Sequence, residues 1–173
     1  APGLYSSSVE YSASAVGQYM KYIAQTHLAG FGTRVLYTTS PYNGFDTHAN
    51  QAQAHSGLWT DVSNNVDTFM DDLREHNASD NVTLLMFSEF GRRVHDNGTG
   101  TDHGAAGVSF AVGPGVRGGL YSAYPDTRSQ ALQEGDLVPN LDFRGLYSTI
   151  LEDWLGLDAK PIVKGSFEKP LFI

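Results

Sequence analysis

Apolar residues recur at helical spacing in three stretches of the chain. The first covers residues 7–29, where Ser7 and Glu10 have the spacing of a capping box. The second covers residues 49–76, and the third begins at Asp142 as the N-cap and runs to Leu155. We therefore predict three helices. The apolar face of the second consists of Leu58, Val62, Val66, Phe69 and Leu73.

Three shorter apolar runs, residues 34–38, 82–87 and 108–112, have the length of strands. The run at 82–87 is almost unbroken, which is typical of a central parallel strand covered on both faces. Residues 41–44 and 91–104 are rich in turn-forming residues and predict loops. The order of these elements predicts an α/β fold with a mostly parallel sheet flanked by helices. We expect the chain to form a single α/β domain, 1–173, with residues 157–173 as a tail.

Composition narrows the classes of function. The chain has 11 basic and 19 acidic residues and a net charge of −8, which argues against binding to nucleic acid or to an anionic membrane surface. It has no cysteine, which excludes disulfides and thiolate chemistry. No apolar run approaches the roughly 20 residues of a membrane-spanning helix. The start at Ala1, without Met or a signal peptide, indicates an internal segment or a processed product.

A first motif, Gly-Phe-Asp-Thr-His at residues 44–48, lies between a predicted strand and a predicted helix. Asp46 and His48 are two residues apart, and alternate side chains of an extended backbone point the same way. A carboxylate oxygen and an imidazole nitrogen at one point suit Zn²⁺, Mn²⁺ or Fe²⁺ more than Ca²⁺. Alternatively, Asp46 or Thr47 caps the next helix and His48 lies in its first turn.

A second motif, Ser-Glu-Phe-Gly-Arg at residues 88–92, follows the apolar run at 82–87. A carboxylate at the end of a buried strand is costly unless it is paired or bound to a metal, so Glu89 is a candidate ligand. The alternative is an ion pair with Arg92 or Arg93. Arg92 is also a candidate catalytic residue, as a clamp for a phosphate or sulfate group.

A third motif, Gly-Thr-Asp-His-Gly at residues 100–104, offers Asp102 and His103 as further metal ligands. Its glycines let the backbone approach a ligand closely. The alternative is a flexible surface loop with an incidental Asp-His pair. Sites in open α/β sheets gather beyond the carboxyl ends of strands, where the first two motifs lie, and the third motif lies just ahead of the run at 108–112. Three clusters of acidic residues or His at successive loops predict one shared polar or metal site.

In these motifs, and in residues 113–119 and 142–156, the chain resembles a bacterial protein family of unknown function that is exported with a twin-arginine signal. The resemblance implies an exported protein, in the periplasm or outside the cell. That family is in turn similar to the alkaline phosphatase and sulfatase superfamily. This second similarity implies that the chain is the C-terminal part of a phosphatase-like fold.

The superfamily resemblance also implies roles for residues. Asp46, His48 and His103 would bind one metal ion, and Glu89 would bind a second. The nucleophile would come from an N-terminal half of the same protein, and the substrate would be a small anionic ester. Phe90, however, stands where the superfamily has a His ligand, and its ring cannot bind a metal.

The leading prediction is therefore a metal-dependent hydrolase of phosphate or sulfate esters, with Zn²⁺ or Mn²⁺ as cofactor and with this chain supplying part of the metal site. Because the nucleophile is missing from it, we expect this segment alone to be inactive. One alternative is a non-catalytic exported binding or surface protein that keeps a vestigial site. Another is a metal-free acid–base site formed by Glu89 and His103.

Overall fold

The structure, a computed structural model, describes residues 5–40 and 44–173. The turn predicted at 41–44 lies outside the described residues except for Gly44. The chain forms two compact units. The first contains the residues up to 82 together with 97–101, and the second contains 83–96 and 102–173.

Two helices build the first unit, α1 (Ala15–Leu28) and α2 (Gln51–Glu75), with a short 3-10 turn at Ser79–Asn81. Helix α1 begins after Ser14, whose side chain accepts a hydrogen bond from the backbone N–H of Gly17 at 3.1 Å. The predicted start at residue 7 is wrong by eight residues. The reason is that Ser7 donates to Glu75 of α2 instead of capping a helix.

The core of the first unit lies between α1 and α2. Helix α2 buries Val66, Phe69 and Leu73, as its apolar spacing predicts, and α1 contributes Met20 and Ala24. Burying a side chain of this size contributes roughly 1.5–3 kcal/mol. The N-terminal half of the α2 stripe, by contrast, is only half-buried.

The segment after α1 does not form the strand predicted at 34–38. These residues have no regular secondary structure, and Val35 and Tyr37 are exposed. The predicted strand is therefore wrong, because an apolar run becomes a strand only where its backbone hydrogen bonds find a partner.

The strands pair as two antiparallel ribbons. In the second unit β1 (Leu84–Met86) pairs with β4 (Phe110–Val112), with Leu85 opposite Ala111. A hairpin pairs β2 (Gly91–Asp96) with β3 (Thr101–Gly104), and its tip, 97–101, belongs to the first unit. The predicted loop at 91–104 is thus a hairpin, which turns at Asn97-Gly98, a pair typical of hairpin turns.

The predicted fold class is consequently wrong. The described residues contain no parallel sheet, so a mostly parallel α/β sheet, and with it the C-terminal part of a phosphatase-like fold, is not what the chain forms. The chain mixes four helices with two small antiparallel two-stranded sheets over these residues. The physical reason is that an apolar run indicates burial but carries no information about the direction of its neighbour.

The C-terminal part of the second unit contains α3 (Phe143–Thr149), a π-helical turn (Ile150–Trp154) and α4 (Lys160–Val163), after a 3-10 turn at Ser129–Ala131. Asp142 caps α3 as predicted, since its Oδ1 accepts from the N–H of Arg144 at 2.9 Å. The buried residues of α3 are Gly145, Ser148 and Thr149, which are small or polar rather than large and apolar.

Contacts with the C-terminal segment explain why these small and polar residues of α3 are buried. Thr149 Oγ1 donates to the carbonyl of Pro170 at 2.8 Å, and a side chain at Gly145 would collide with the carbonyl of Glu168. The predicted tail 157–173 therefore packs closely on α3 and buries Phe172. Over the described part of the chain, every helix is too short or too polar to cross a membrane.

Candidate metal centre

The first motif, residues 44–48, precedes α2 and is anchored on it by aromatic contacts. The ring of Phe45 lies 5.1 Å from that of Trp59 and 5.8 Å from that of His55, edge to face in both cases. Such contacts contribute about 0.5–1.5 kcal/mol each beyond burial. They fix the backbone on which the next residue, Asp46, stands.

Asp46 and His48 converge on one point in the first unit. Oδ1 of Asp46 lies 3.0 Å from Nε2 of His48, and their side chains are 30% and 46% exposed. Helix α2 begins at Gln51, and its N-cap is Asn50, in a left-handed conformation without a side-chain capping bond. The alternative that Asp46 or Thr47 caps α2 is therefore wrong.

Gln51, which the sequence analysis missed, connects the first motif to the hairpin tip. Its Nε2 donates to Thr47 Oγ1 at 3.1 Å, and its Oε1 accepts from Thr101 Oγ1 at 3.0 Å. Its backbone N–H donates to the carbonyl of Thr99 at 3.0 Å. Both ends of one amide are thus used. The helical i, i+4 rule gave no signal for this contact, because Thr47 lies before α2, which begins at Gln51.

The hairpin tip packs directly on the backbone of His48. Asn97 Nδ2 donates to the His48 carbonyl at 3.1 Å. A side chain at Gly100 would lie 2.6 Å from the same carbonyl oxygen, so glycine is needed at this close approach. The tip therefore contacts the main chain of His48, whose side chain is 46% exposed.

The second motif, residues 88–92, forms the turn between β1 and β2 and the start of β2. Ser88 Oγ accepts from the N–H of Phe90 at 3.3 Å. Glu89 is exposed and β1 is only half-buried, so the argument from a buried carboxylate does not apply. Arg93 pairs with Asp136, at 3.0 Å, rather than with Glu89.

In the second unit the third motif is stacked on the second. The imidazole of His103 lies parallel to the ring of Phe90, with centroids 4.1 Å apart and an interplanar angle of 7°. The guanidinium carbon of Arg92 lies 4.9 Å from the centroid of the same ring. Asp102, the other candidate in this motif, is exposed.

Two glycines make this stack possible. A side chain at Gly104 would lie 2.6 Å from the backbone of Arg92, and one at Gly91 would collide with the backbone of Ala106. Glycine is therefore needed at positions 91 and 104 because two segments of backbone lie too close together for a side chain. The predicted role of glycine, approach to a ligand, is replaced by approach of backbone to backbone.

Asp46 and His48 of the first unit and His103 of the second offer one carboxylate oxygen and two imidazole nitrogens, donor types that bind metal ions. All three residues are at least partly exposed. Three protein ligands with access to solvent leave coordination positions for water and substrate, as in catalytic zinc sites. The donor set thus fits Zn²⁺ or Mn²⁺.

Comparison with known proteins places the three motifs in a family context. A family profile described as a protein of unknown function matches residues 7–171, nearly the whole chain. The chain belongs to the DUF1501 family. This confirms the predicted resemblance to a family of unknown function. Neither the curated proteins nor the solved structures contain a significant match to this DUF1501 chain.

Proposed function

We propose that this DUF1501 protein binds a divalent metal ion, Zn²⁺ or Mn²⁺, through Asp46, His48 and His103, and that it hydrolyses a phosphate or sulfate ester at that ion. The observation that carries the proposal is the convergence of Asp46 Oδ1 and His48 Nε2, 3.0 Å apart, on an accessible surface. A carboxylate and an imidazole at this separation can share one ion, since ligand bonds of about 2 Å place neighbouring donors roughly 3 Å apart.

The continuity of the chain supports His103 as the third ligand. Thr101 is tied to Gln51 of the first unit at 3.0 Å, and His103 follows Thr101 by two residues in the same strand, β3. Alternate residues of a strand lie on the same face, about 6.6 Å apart. His103 is therefore only two residues along the chain from a residue bonded to the helix that follows the first motif.

The bound divalent ion and the guanidinium of Arg92 are both positively charged, which suits an anionic ester as substrate. A bound divalent ion polarises the ester oxygen and stabilises the negative charge that develops during hydrolysis. Arg92 lies against the same Phe90 ring as His103, and its guanidinium can hold phosphate or sulfate oxygens. Glu89 and Asp102 remain predicted further ligands, and export to the periplasm or the cell exterior remains a prediction.

Titration calorimetry with Zn²⁺ and with Mn²⁺ tests the metal site. We expect one ion per chain for the wild type and at least a tenfold loss of affinity for Asp46→Ala, His48→Ala and His103→Ala, because each removes one ligand. His95→Ala, which removes an exposed histidine of β2, is the matched control and keeps the wild-type affinity. Equal affinity in all four variants would sink the proposed ligand set.

Hydrolysis is tested separately, with p-nitrophenyl phosphate and p-nitrophenyl sulfate. Because the predicted nucleophile lies in an N-terminal half, the assay uses this chain together with that half, and we expect turnover that a chelator abolishes and added metal restores. Metal binding without turnover would instead favour a non-catalytic binding protein. Turnover that chelators leave unchanged would favour the metal-free acid–base site.

A further inference from the structure

Phe90 covers the face of an imidazole, and this contact is not explained by the hydrophobic core. The ring is half-buried, and the buried apolar core of the second unit consists of other residues, among them Val163 and Phe172. The two rings are nevertheless parallel within 7° at 4.1 Å. The contact therefore orders one exposed side chain, His103, rather than filling the interior.

The surroundings of Phe90 hold its ring from several directions. Ser88 closes the turn before it through the bond to the Phe90 N–H, at 3.3 Å. Arg92, two residues later in the chain, lies with its cation 4.9 Å from the ring centroid, a favourable contact because the face of an aromatic ring is negative. Gly104 brings β3 within contact distance of β2 beside the stack. The ring is thus a fixed platform.

A parallel stack is the geometry that orients an imidazole without blocking it. The nitrogen lone pairs lie in the plane of the imidazole and point outward from its edge, so a metal approaches in that plane. A ring that covers the face restricts rotation of the side chain without itself covering either nitrogen. An edge-to-face contact would cover an edge instead.

We propose that Phe90 is a positioning residue, which fixes the plane of the His103 imidazole so that its edge is presented to the metal ion. The inference rests on the proposed function, since it takes His103 as a ligand. It assigns a role to the residue of the second motif that cannot itself bind a metal. Ligand groups held in place before binding lose less conformational entropy when the ion arrives, which raises affinity.

Three variants separate this role from ordinary packing. Phe90→Leu removes the ring, and Phe90→Tyr keeps it. Phe87→Leu is the matched control, because Phe87 is exposed and makes its ring contact with Tyr147, at 5.6 Å, rather than with His103. Circular dichroism establishes which variants are folded.

Two measurements are made on each protein. In the metal-free protein, NMR records the His103 ring protons, which the current of a stacked ring shifts upfield. We expect that shift in the wild type, Phe90→Tyr and Phe87→Leu, and its loss in Phe90→Leu. Zn²⁺ titration then gives the affinity, which we expect to fall about 3- to 10-fold in Phe90→Leu, the factor of one aromatic pair, and to be unchanged in the other two.

The outcomes distinguish the two proposals. Wild-type affinity in Phe90→Leu, together with a loss in His103→Ala, overturns the positioning role and leaves the metal site intact. Wild-type affinity in His103→Ala overturns the ligand assignment, and the role of Phe90 with it, even if the His103 ring protons of the wild type show the upfield shift. Equal losses in Phe90→Leu and Phe87→Leu indicate general destabilisation and also contradict the inference.

Discussion

The buried carboxylate of Asp72 and the two tyrosines that donate to it lead to a quantitative prediction about the N-terminal segment. Asp72 is fully buried on α2, and its Oδ2 accepts from Tyr5 at 2.6 Å and from Tyr11 at 2.7 Å. Its Oδ1 has no hydrogen-bond partner among the described residues, although Nδ1 of His76 lies 3.3 Å away. The perturbation is to replace Tyr5 and Tyr11 by Phe, singly and together.

The expected losses follow from the number of donors left. A hydrogen bond to a charged group contributes roughly 1.5–3 kcal/mol, so each single variant should lose about 2 kcal/mol of unfolding free energy. The double variant leaves the buried carboxylate without a hydroxyl donor. Its loss should exceed the sum of the two singles by about 1 kcal/mol, because an uncompensated buried charge is more costly than a partly compensated one.

Urea unfolding measures these free energies, with Tyr22→Phe as the control because Tyr22 is 57% exposed. Burial and the hydrogen bond to Asp72 also raise the pKa of Tyr5 to about 12, which absorbance of the tyrosinate form follows directly. Because this pKa is raised from 10.0, the stability it contributes is lost as pH rises from 10.0 toward 12. Single losses below about 0.5 kcal/mol, or strict additivity, would refute the reasoning.

Three further predictions concern local contacts. The backbone carbonyls of Asp72 and Ser6 accept hydrogen bonds from the ring nitrogens of His76 and raise its pKa above 6.5. The stability that the protonated ring contributes is therefore present below pH 6.5 and is lost as pH rises through the raised pKa. His76→Gln should flatten the dependence of the unfolding free energy on pH. Gly104→Ala should cost about 1–3 kcal/mol in urea unfolding, because its Cβ would meet backbone, whereas Gly57→Ala, in open space on α2, should stabilise by about 0.5–1 kcal/mol. Gln51→Ala should weaken Zn²⁺ binding in a calorimetric titration, while Gln53→Ala, at an exposed position of the same helix, should not.

The sequence could predict the elements whose signal is local. The spacing of Val66, Phe69 and Leu73 gave α2, and Asp142 gave the start of α3. Both signals depend on contacts within a few residues of chain. The convergence of Asp46 and His48 was accessible for the same reason, since two positions along an extended backbone point alike.

What failed depended on contacts between distant residues. Strand direction was wrong because an apolar run at Leu84–Met86 does not specify an antiparallel partner at Phe110–Val112. The predicted start of α1 was wrong because Ser7 bonds to Glu75, 68 residues away, rather than capping a helix. Only tertiary structure contains that information.

The same limit applied within the candidate site. The sequence identified Phe90 only as a residue whose ring cannot bind a metal. Its stack on His103 depends on the pairing of β2 with β3, which the motifs do not reveal. Gln51 was overlooked because its role depends on Thr101, in another segment of the chain. In both cases the residue contacts a neighbour from another segment of the chain, which a motif search based on ligand types does not detect.

The central claim is that one metal ion contacts Asp46, His48 and His103 together. X-ray absorption spectroscopy of the Zn²⁺-loaded protein tests it most directly, because the spectrum separates imidazole from other ligands by multiple scattering. We predict two imidazole nitrogens and at least one carboxylate oxygen at about 2.0–2.2 Å, with one imidazole lost in His48→Ala and one lost in His103→Ala. A wild-type spectrum with a single imidazole or none, unchanged in both variants, would contradict the account.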